Sequence, residues 1–348
     1  MDFIKYCVGI DCGMKELVCC FSGLNQDLFI KDFAIKSFSN NPKGFAQLIK
    51  WIKSFEVTKN VSFVMEATGV YHEDLAFFLD EKGFHLSVVL PAKIKHFRKS
   101  MEIKTDTDNS ASVGIAHFGL SRKLTKWNKP SPVMRALRNL TRERDQVVTD
   151  RTSSKNALHA LNHSHAPSAS SKKRLEARIK LCTVQEKEIE KEISAIIKAN
   201  AELHNRIQNI CTIKGIGLIT AAIIIAEVDG FAMIQNKRQL VSYAGLDVVE
   251  KQSGTSIKGR SKISKRGNKH IRKALYFPAI TAVSYNTDFK DQFVRIQVRT
   301  KIKMKGYVAI QRKLLVLIYT LWKKNEPFNP EFQHQGKDIK KIGPVIAD

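Results

Sequence analysis

Four carboxylates stand where they could act together on a phosphodiester. Asp11 closes the apolar run from Tyr6 to Cys12, with Gly9 before it and Gly13 after it. Glu66 closes a second run, Val61 to Met65, and opens Met65-Glu-Ala-Thr-Gly69. Asp106 and Asp108 lie in Lys104-Thr-Asp-Thr-Asp108, just ahead of a helical stretch. Carboxylates gathered in one place repel each other and call for a cation. Mg2+ takes hard oxygen ligands of this kind and keeps several waters. Two such ions can clamp the attacking and leaving oxygens of a phosphodiester. Each acid alone is more often a turn former or a helix cap. Together, at matching strand ends of a strongly basic chain, they favour a shared Mg2+ site.

Three further features could handle phosphate. Residues 251–273 carry Lys251, Lys258, Arg260, Lys262, Lys265, Arg266, Lys269, Arg272 and Lys273 without one acid. A run of charge is usually a solvated face, but cations unbroken by an acid suggest phosphate contacts. Ser253-Gly254 sits inside this run. By spacing it is an ordinary turn; chemically, the Ser253 hydroxyl could attack phosphorus while neighbouring cations hold the developing charge. Gly215 and Gly217 form a Gly-x-Gly turn opening an apolar helix, the logic of a helix-hairpin-helix element. Its backbone N–H groups could hold a phosphate, or the glycines could serve tight packing alone.

The elements that must position these residues alternate at first. Tyr6 to Cys12, Leu17 to Phe21 and Leu28 to Ile35 read as three antiparallel strands. A helix from Pro42 to Phe55, a strand ending at Glu66, a helix from Val70 to Lys82, a strand from Phe84 to Leu90 and a helix from Pro91 follow. That order predicts an α/β, RNase H-like layered fold. In such a sheet the first and fourth strands are neighbours, so Asp11 and Glu66 should meet. From Pro132 the pattern turns all-α. Leu175, Ile179, Cys182, Ile189, Ile193, Ile196, Leu203 and Ile207 recur in alternating steps of four and three, with polar Glu186 and Asn200 interrupting, an a/d seam. A hairpin within the chain or a second subunit would bury it. Residues from about Cys211 to Lys324 read as further helices, and the last fifteen or so as a mobile tail.

Composition narrows the function class. The 348 residues suit about two domains of the usual ~100–200 residues. Lys plus Arg number 58 against 33 Asp plus Glu, a net charge of +25. That surplus argues against an enzyme of small molecules with no polyanion partner and favours nucleic acid. No apolar run approaches the ~20 residues that span a bilayer. Six cysteines form no Cys-x-x-Cys pair. They read as reduced, buried residues of a cytoplasmic protein, and the first residues lack a signal-peptide pattern.

The quoted motifs also carry a resemblance. Val8-Gly-Ile-Asp11, Met65-Glu-Ala-Thr-Gly69 with Tyr71, Pro91-Ala-Lys93 and Lys104-Thr-Asp106 lie in the first third. Ile213-Lys-Gly-Ile-Gly217, Tyr243-Ala-Gly-Leu246, Ser253-Gly254, Ile263-Ser-Lys-Arg-Gly-Asn268 with Arg272, and Arg312-Lys-Leu-Leu315 follow. In kind and order they resemble the transposases of insertion-sequence family 110, bridge-RNA-guided DNA recombinases, and the related Piv-like DNA invertases. The likeness spans roughly residues 5–332.

The resemblance implies a RuvC-like domain over residues 1–130, a coiled-coil dimerisation segment over 131–208, a transposase domain over 209–332 and a flexible tail over 333–348. It implies four metal-binding acids, two of which match Asp11 and Glu66. It implies a serine nucleophile, for which Ser253 is the best match, acting with the acids of another subunit in a composite site. It implies donor and target DNA and a structured bridge RNA as partners, and a homodimer assembling to a tetramer. The remaining two acids follow an Asp-x-x-Asp pattern in the family. Read from Lys104-Thr105, the first is Asp106 and the residue three on is Asn109. Read from Phe118-Gly119, the first is Asp108 and the residue three on is Ala111, the slightly favoured register. Either way one carboxylate is missing, so an impaired enzyme is one alternative. A Piv-like invertase, a metal-only junction nuclease and a non-catalytic nucleic-acid-binding relative are the others.

Overall fold

The computed structural model describes residues 3–57, 61–67, 69–101, 107–250, 252–253, 257–259 and 262–329, with the backbone alone for 252–253 and 257–258. The chain forms two compact units, Met1–Lys129 and Pro130–Asp348.

The first unit opens with three strands, β1 (Phe3–Cys12), β2 (Glu16–Asn25) and β3 (Ile30–Ser39). Then come α1 (Pro42–Lys53), β4 (Val61–Glu66), α2 (Glu73–Glu81), β5 (His85–Val89), α3 (Pro91–Ser100) and α4 (Asp108–Ser121). The sheet order is β3-β2-β1-β4-β5. The first three strands pair antiparallel, while β4 runs parallel to β1 and to β5. This mixed sheet with flanking helices fits the RNase H-like layer that the element order predicts. β3 starts later than expected. Leu28 takes a left-handed backbone (φ 63) in the β2–β3 turn and is 77% exposed. Asn25 fixes that turn, its side-chain oxygen accepting from the Phe29 N–H at 2.8 Å.

Alternation along β1 supplies two cores, as a strand covered on both faces requires. Val8 and Ile10 pack with Phe45 and Leu48 of α1 and Leu75 of α2. Cys7 packs on the other side with Ile94 of α3 and Ile115 and Phe118 of α4. Cys7, Cys12, Cys19 and Cys20 are all buried.

The seat of α4 on the sheet is unusually close. A Cβ on Gly9 would lie 2.2 Å from the Ala116 nitrogen and 2.3 Å from the Ser112 oxygen. Polar contacts from Lys5 and Asp32, outside the apolar core, fix the far end of α4. The Lys5 ammonium donates to the carbonyls of Gly119 (2.5 Å), Leu120 (3.2 Å) and Arg122 (3.1 Å), satisfying terminal acceptors that a helix leaves unpaired. His117 lies 2.9 Å from the Asp32 carboxylate of β3. The Ser22 hydroxyl donates to the same carboxylate at 2.6 Å.

The second unit begins with two long helices, α5 (Pro132–Asn162) and α6 (Ala169–Ala199). α7 (Ala201–Cys211), α8 (Leu218–Glu227), a short 3-10 turn at Asp229–Phe231 and α9 (Lys237–Tyr243) follow. A small ribbon comes next: β6 (Val248–Val249) pairs with β9 (Lys262–Ile263), and β7 (Gln252–Ser253) with β8 (Ile257–Lys258). The unit ends with α10 (Lys269–Ala274), α11 (Tyr276–Tyr285), α12 (Thr287–Thr300) and α13 (Lys303–Lys324).

α5 and α6 pack together as a hairpin, and the lower part of the seam joins one core with α7, α8 and α13 through Ile189, Ile193, Ile197, Ile207, Ile225 and Leu314. Ile197, not Ile196, is the fully buried position. An α-helix drifts from a strict 3.5-residue repeat, and the buried steps here are of four residues. Asn200, a polar interruption of the seam, ends α6 and caps α7. Among the described residues no helix is long and apolar enough to cross a membrane. The tail over 333–348 lies outside the described residues.

Gly9→Val is expected to lower stability by about 3 kcal/mol or more, since backbone on α4 cannot yield to the new side chain. Thermal unfolding of the variant checks this; an unchanged Tm would mean that α4 does not need its close seat.

Candidate active site and nucleic-acid interface

β1 and β4 run parallel with Ile10 opposite Met65. The next residue on each strand is an acid, so Asp11 and Glu66 leave the sheet side by side. Asp108 arrives from α4. Thr107 is that helix's cap: its hydroxyl accepts from the Ser110 N–H at 3.2 Å, while the Ser110 hydroxyl accepts from the Thr107 N–H at 3.0 Å. The Asp108 carboxylate is therefore not consumed as the cap. It occupies the first helical position, where the helix dipole favours negative charge.

The three acids feel one another. Burial pushes the Asp11 carboxyl above its ordinary value, and the charges of Asp108 and Glu66 push it further in the same direction. Arg98 on α3 opposes this shift. The Cys12 thiol is pushed up to about 12 by burial and by the charges of Asp11 and Glu66. Asp106 lies outside the described residues. Among the described residues, no three His, Cys, Asp or Glu side chains by themselves form a set able to hold a metal ion. What the three acids offer is hard oxygen donors under mutual repulsion, the donor chemistry that a divalent cation relieves.

The second unit gathers cations around a buried anion. The Glu227 side chain, 1% exposed, takes two charge-assisted hydrogen bonds from Arg142 (2.7 and 2.9 Å) and one from the Asn268 amide (2.6 Å). Burial alone would push the Glu227 carboxyl up; these bonds outweigh it and hold it below its ordinary value. Asn268 also caps α10 through the N–H groups of His270 and Ile271. Glu227 thereby fixes the loop that presents Lys265 and Arg266, both exposed together with Lys262 and Lys269.

Two of the expected phosphate contacts are otherwise engaged. The Arg272 guanidinium donates to the carbonyls of Ala244 (2.8 Å), Gly267 (3.1 Å) and Asn268 (3.2 Å). Lys273 pairs with Asp145 of α5. The Lys258 and Ser253 side chains and all of Lys251, Gly254 and Arg260 lie outside the described residues. The Ser253 backbone pairs with Ile257 near the tip of the ribbon.

The glycine turn divides. Gly215 has φ 95, and a Cβ there would lie 2.9 Å from the Thr281 Cβ, so backbone conformation and close packing both require glycine. Gly217 caps α8, and nothing stands within 4 Å of its missing Cβ.

The family model described as "Transposase IS116/IS110/IS902 family" matches residues 207–294. A second transposase model, labelled DEDD and IS110, matches residues 8–167. The chain belongs to the IS110 family of transposases. Pilin gene-inverting proteins of Moraxella bovis and Moraxella lacunata are each 29% identical over 331 residues, 93% of this chain and 98% of theirs. The transposase of insertion element IS1111A from Coxiella burnetii is 28% identical over 144 residues, 40% of this chain and 38% of its own. Thermus thermophilus RuvC is similar over 35% of this chain and 99% of its own, at 11% identity and a TM-score of 0.28; family membership does not rest on it. The family's general function is DNA transposition and recombination.

For this family member the structure adds one residue that sequence reasoning passed over. Arg98 donates to the Ser110 hydroxyl at 3.0 Å and sits against Gly114, within electrostatic reach of Asp11. Its signal was present: α3 carries Ile94, Phe97 and Arg98 on one helical face, and the first two are core residues. Ala111 stands three residues after Asp108 in α4, hence on the same helical face.

Two outcomes follow from these charges. Asp11 is less easily ionised folded than unfolded, so its ionisation weakens the fold as pH rises through its raised range. Asp11→Asn is expected to raise Tm in metal-free buffer at neutral pH, and the gain should shrink as pH falls and the wild-type carboxyl protonates. Glu227 has the opposite sign: it stabilises above the ordinary carboxylate range and loses that effect in acid. Arg142→Ala leaves this buried carboxylate short of a partner and is expected to cost about 3 kcal/mol in denaturant unfolding. A loss below about 0.5 kcal/mol would remove Glu227 as the anchor of the basic loop.

Proposed function

We propose that the chain cuts and rejoins DNA strands as the recombinase of a mobile element, with Ser253 as nucleophile and Asp11, Glu66 and Asp108, together with Asp106, as its acidic centre. The meeting of Asp11, Glu66 and Asp108 at one end of the sheet carries this reading. The Ser253 hydroxyl attacks phosphorus, forms a phosphoserine ester and releases a DNA hydroxyl. Attack by a hydroxyl of the other strand on that ester rejoins the DNA and returns the serine. In each step the exposed cations of the second unit hold the phosphates.

Asp11, Glu66 and Asp108 supply hard oxygen donors but do not by themselves close around a metal ion, so Mg2+ would be held by them together with Asp106. When bound, the ion supplies positive charge at the reacting phosphate. Arg98 moderates the acids' repulsion. The missing fourth acid makes this chain sensitive to Mg2+ supply. Ala111→Asp is expected to lower the Mg2+ concentration that strand exchange needs if Asp108 begins the acid pair. Asn109→Asp would do so if Asp106 begins it.

Finer assignments rest on the resemblance and on the basic surplus. They are a RuvC-like character for residues 1–130, dimerisation through 131–208, a transposase domain over 209–332 and a flexible tail over 333–348. They also include a tetramer with composite sites, guidance by a bridge RNA, and action in the cytoplasm.

A suicide DNA substrate tests the serine. Wild-type chain is expected to form a covalent protein–DNA adduct, and Ser253→Ala to form none while keeping DNA affinity within about twofold. An adduct in Ser253→Ala would remove the serine from the mechanism. Cleavage without any adduct would favour a metal-only nuclease.

A further inference from the structure

Within the second unit, α12, α13 and the β6–β9 ribbon enclose a groove of about 680 Å3. This lies within the roughly 300–1,000 Å3 of pockets that enclose a compact ligand. Gly306 lets α12 and α13 close on each other, since a Cβ there would lie 2.5 Å from the Phe293 ring. The floor is aliphatic, and much of it faces solvent: Val248 is 53% exposed, Ile302 42% and Met304 49%. The lining also holds Lys262, Lys265, Arg299, Lys305, Arg312 and Lys313 and, among the described residues, no carboxylate. Among the described residues none of these six is ion-paired to an acid. One lining residue is also incomplete: the Gln292 side-chain oxygen is buried and has no hydrogen-bond partner.

These three features ask for one kind of occupant. The cations require an anion, the aliphatic floor requires an apolar face, and Gln292 requires an N–H donor. A DNA duplex answers only the first well, because its bases are stacked inside and their pairing-edge N–H groups are taken. An unpaired nucleotide answers all three with its phosphate, its base face and its free pairing edge. The groove borders the ribbon that leads to Ser253, since β9 and β6 are the stem of the β7–β8 tip. We infer that the groove holds one or two unpaired nucleotides of the DNA strand next to the cleavage point. Among the described residues no aromatic ring lines it, so the hold is apolar contact and charge, largely indifferent to base identity.

This inference rests on the reading of Ser253 as the residue that attacks DNA, but its test reads binding alone. Fluorescence anisotropy would compare a labelled twelve-nucleotide single strand, the same sequence as duplex, and its RNA counterpart. Met304→Glu is expected to weaken single-stranded DNA binding about tenfold and duplex binding less than twofold. Arg299→Ala is expected to lower the salt dependence of single-strand binding by about 0.7 in the log–log slope. Gln292→Leu should weaken the single strand severalfold. Met304 is half exposed, so its variant should keep the wild-type Tm; Ile302→Glu repeats the test if it does not. Hydrogen exchange on the wild-type chain should slow in Thr287–Lys324 with the single strand and not with duplex. Equal losses for single strand and duplex, no loss at all, RNA bound in preference to DNA, or displacement by an acidic amphipathic peptide would each overturn it. Ser253→Ala should bind the single strand as wild type does, so failure of the serine reading and failure of the groove are separable.

Discussion

Backbone packed against backbone at Gly9 sets the geometry of the acidic centre. β1 and β4 can bring only two carboxylates together by themselves, since each strand ends in one. The third must come from a helix, and a helix reaches the sheet's edge only if it lies nearly on the strand. Gly9 permits that approach, and Thr107 and Ser110 decide where the helix starts. Asp108 is thereby placed within electrostatic reach of Asp11. The same packing creates a strain of charge that the fold offsets elsewhere. The aromatic and aliphatic layers on both faces of the sheet, the Lys5 contacts at the end of α4 and the Asp32–His117 pair hold the helix in place against it.

The second unit applies the same physics with the opposite sign. One buried carboxylate, Glu227, ties α5, α8 and the loop before α10 into a fixed frame. Cations beyond that frame project into solvent rather than toward acids. Arg272 and Lys273 support the frame, while Lys262, Lys265, Arg266 and Lys269 stand outside it. A fixed backbone bearing exposed cations is suited to positioning phosphates, which fixes orientation without reading bases. A charge of +25 thus resolves into structural and solvent-exposed shares.

Much of this was legible from residue order alone. Apolar runs of five to seven residues ending in Asp11 and Glu66 specified neighbouring strand ends, because period-two burial and a parallel crossover leave few other arrangements. The boundaries were less legible. Leu28 looks like strand from its side chain, but the Asn25 turn sets its backbone. The Asn200 break, by contrast, was legible, since a polar residue interrupts the apolar seam there. The role of Arg98 could not be read from charge, since its neighbours Lys95 and Lys99 carry the same charge and lie in the same helix. The structural share of Arg272 was hidden for a related reason: a cation in a basic run is indistinguishable in sequence from one whose Nη1 donates to three carbonyls.

The central proposal is that Asp11, Glu66 and Asp108, together with Asp106, share a divalent cation. Calorimetric titration of Mg2+ into the full chain, beside Asp11→Asn, tests it most directly. Saturable binding in the wild type that is lost or weakened at least tenfold in the variant is the predicted result. No binding in either, or equal binding in both, would contradict it.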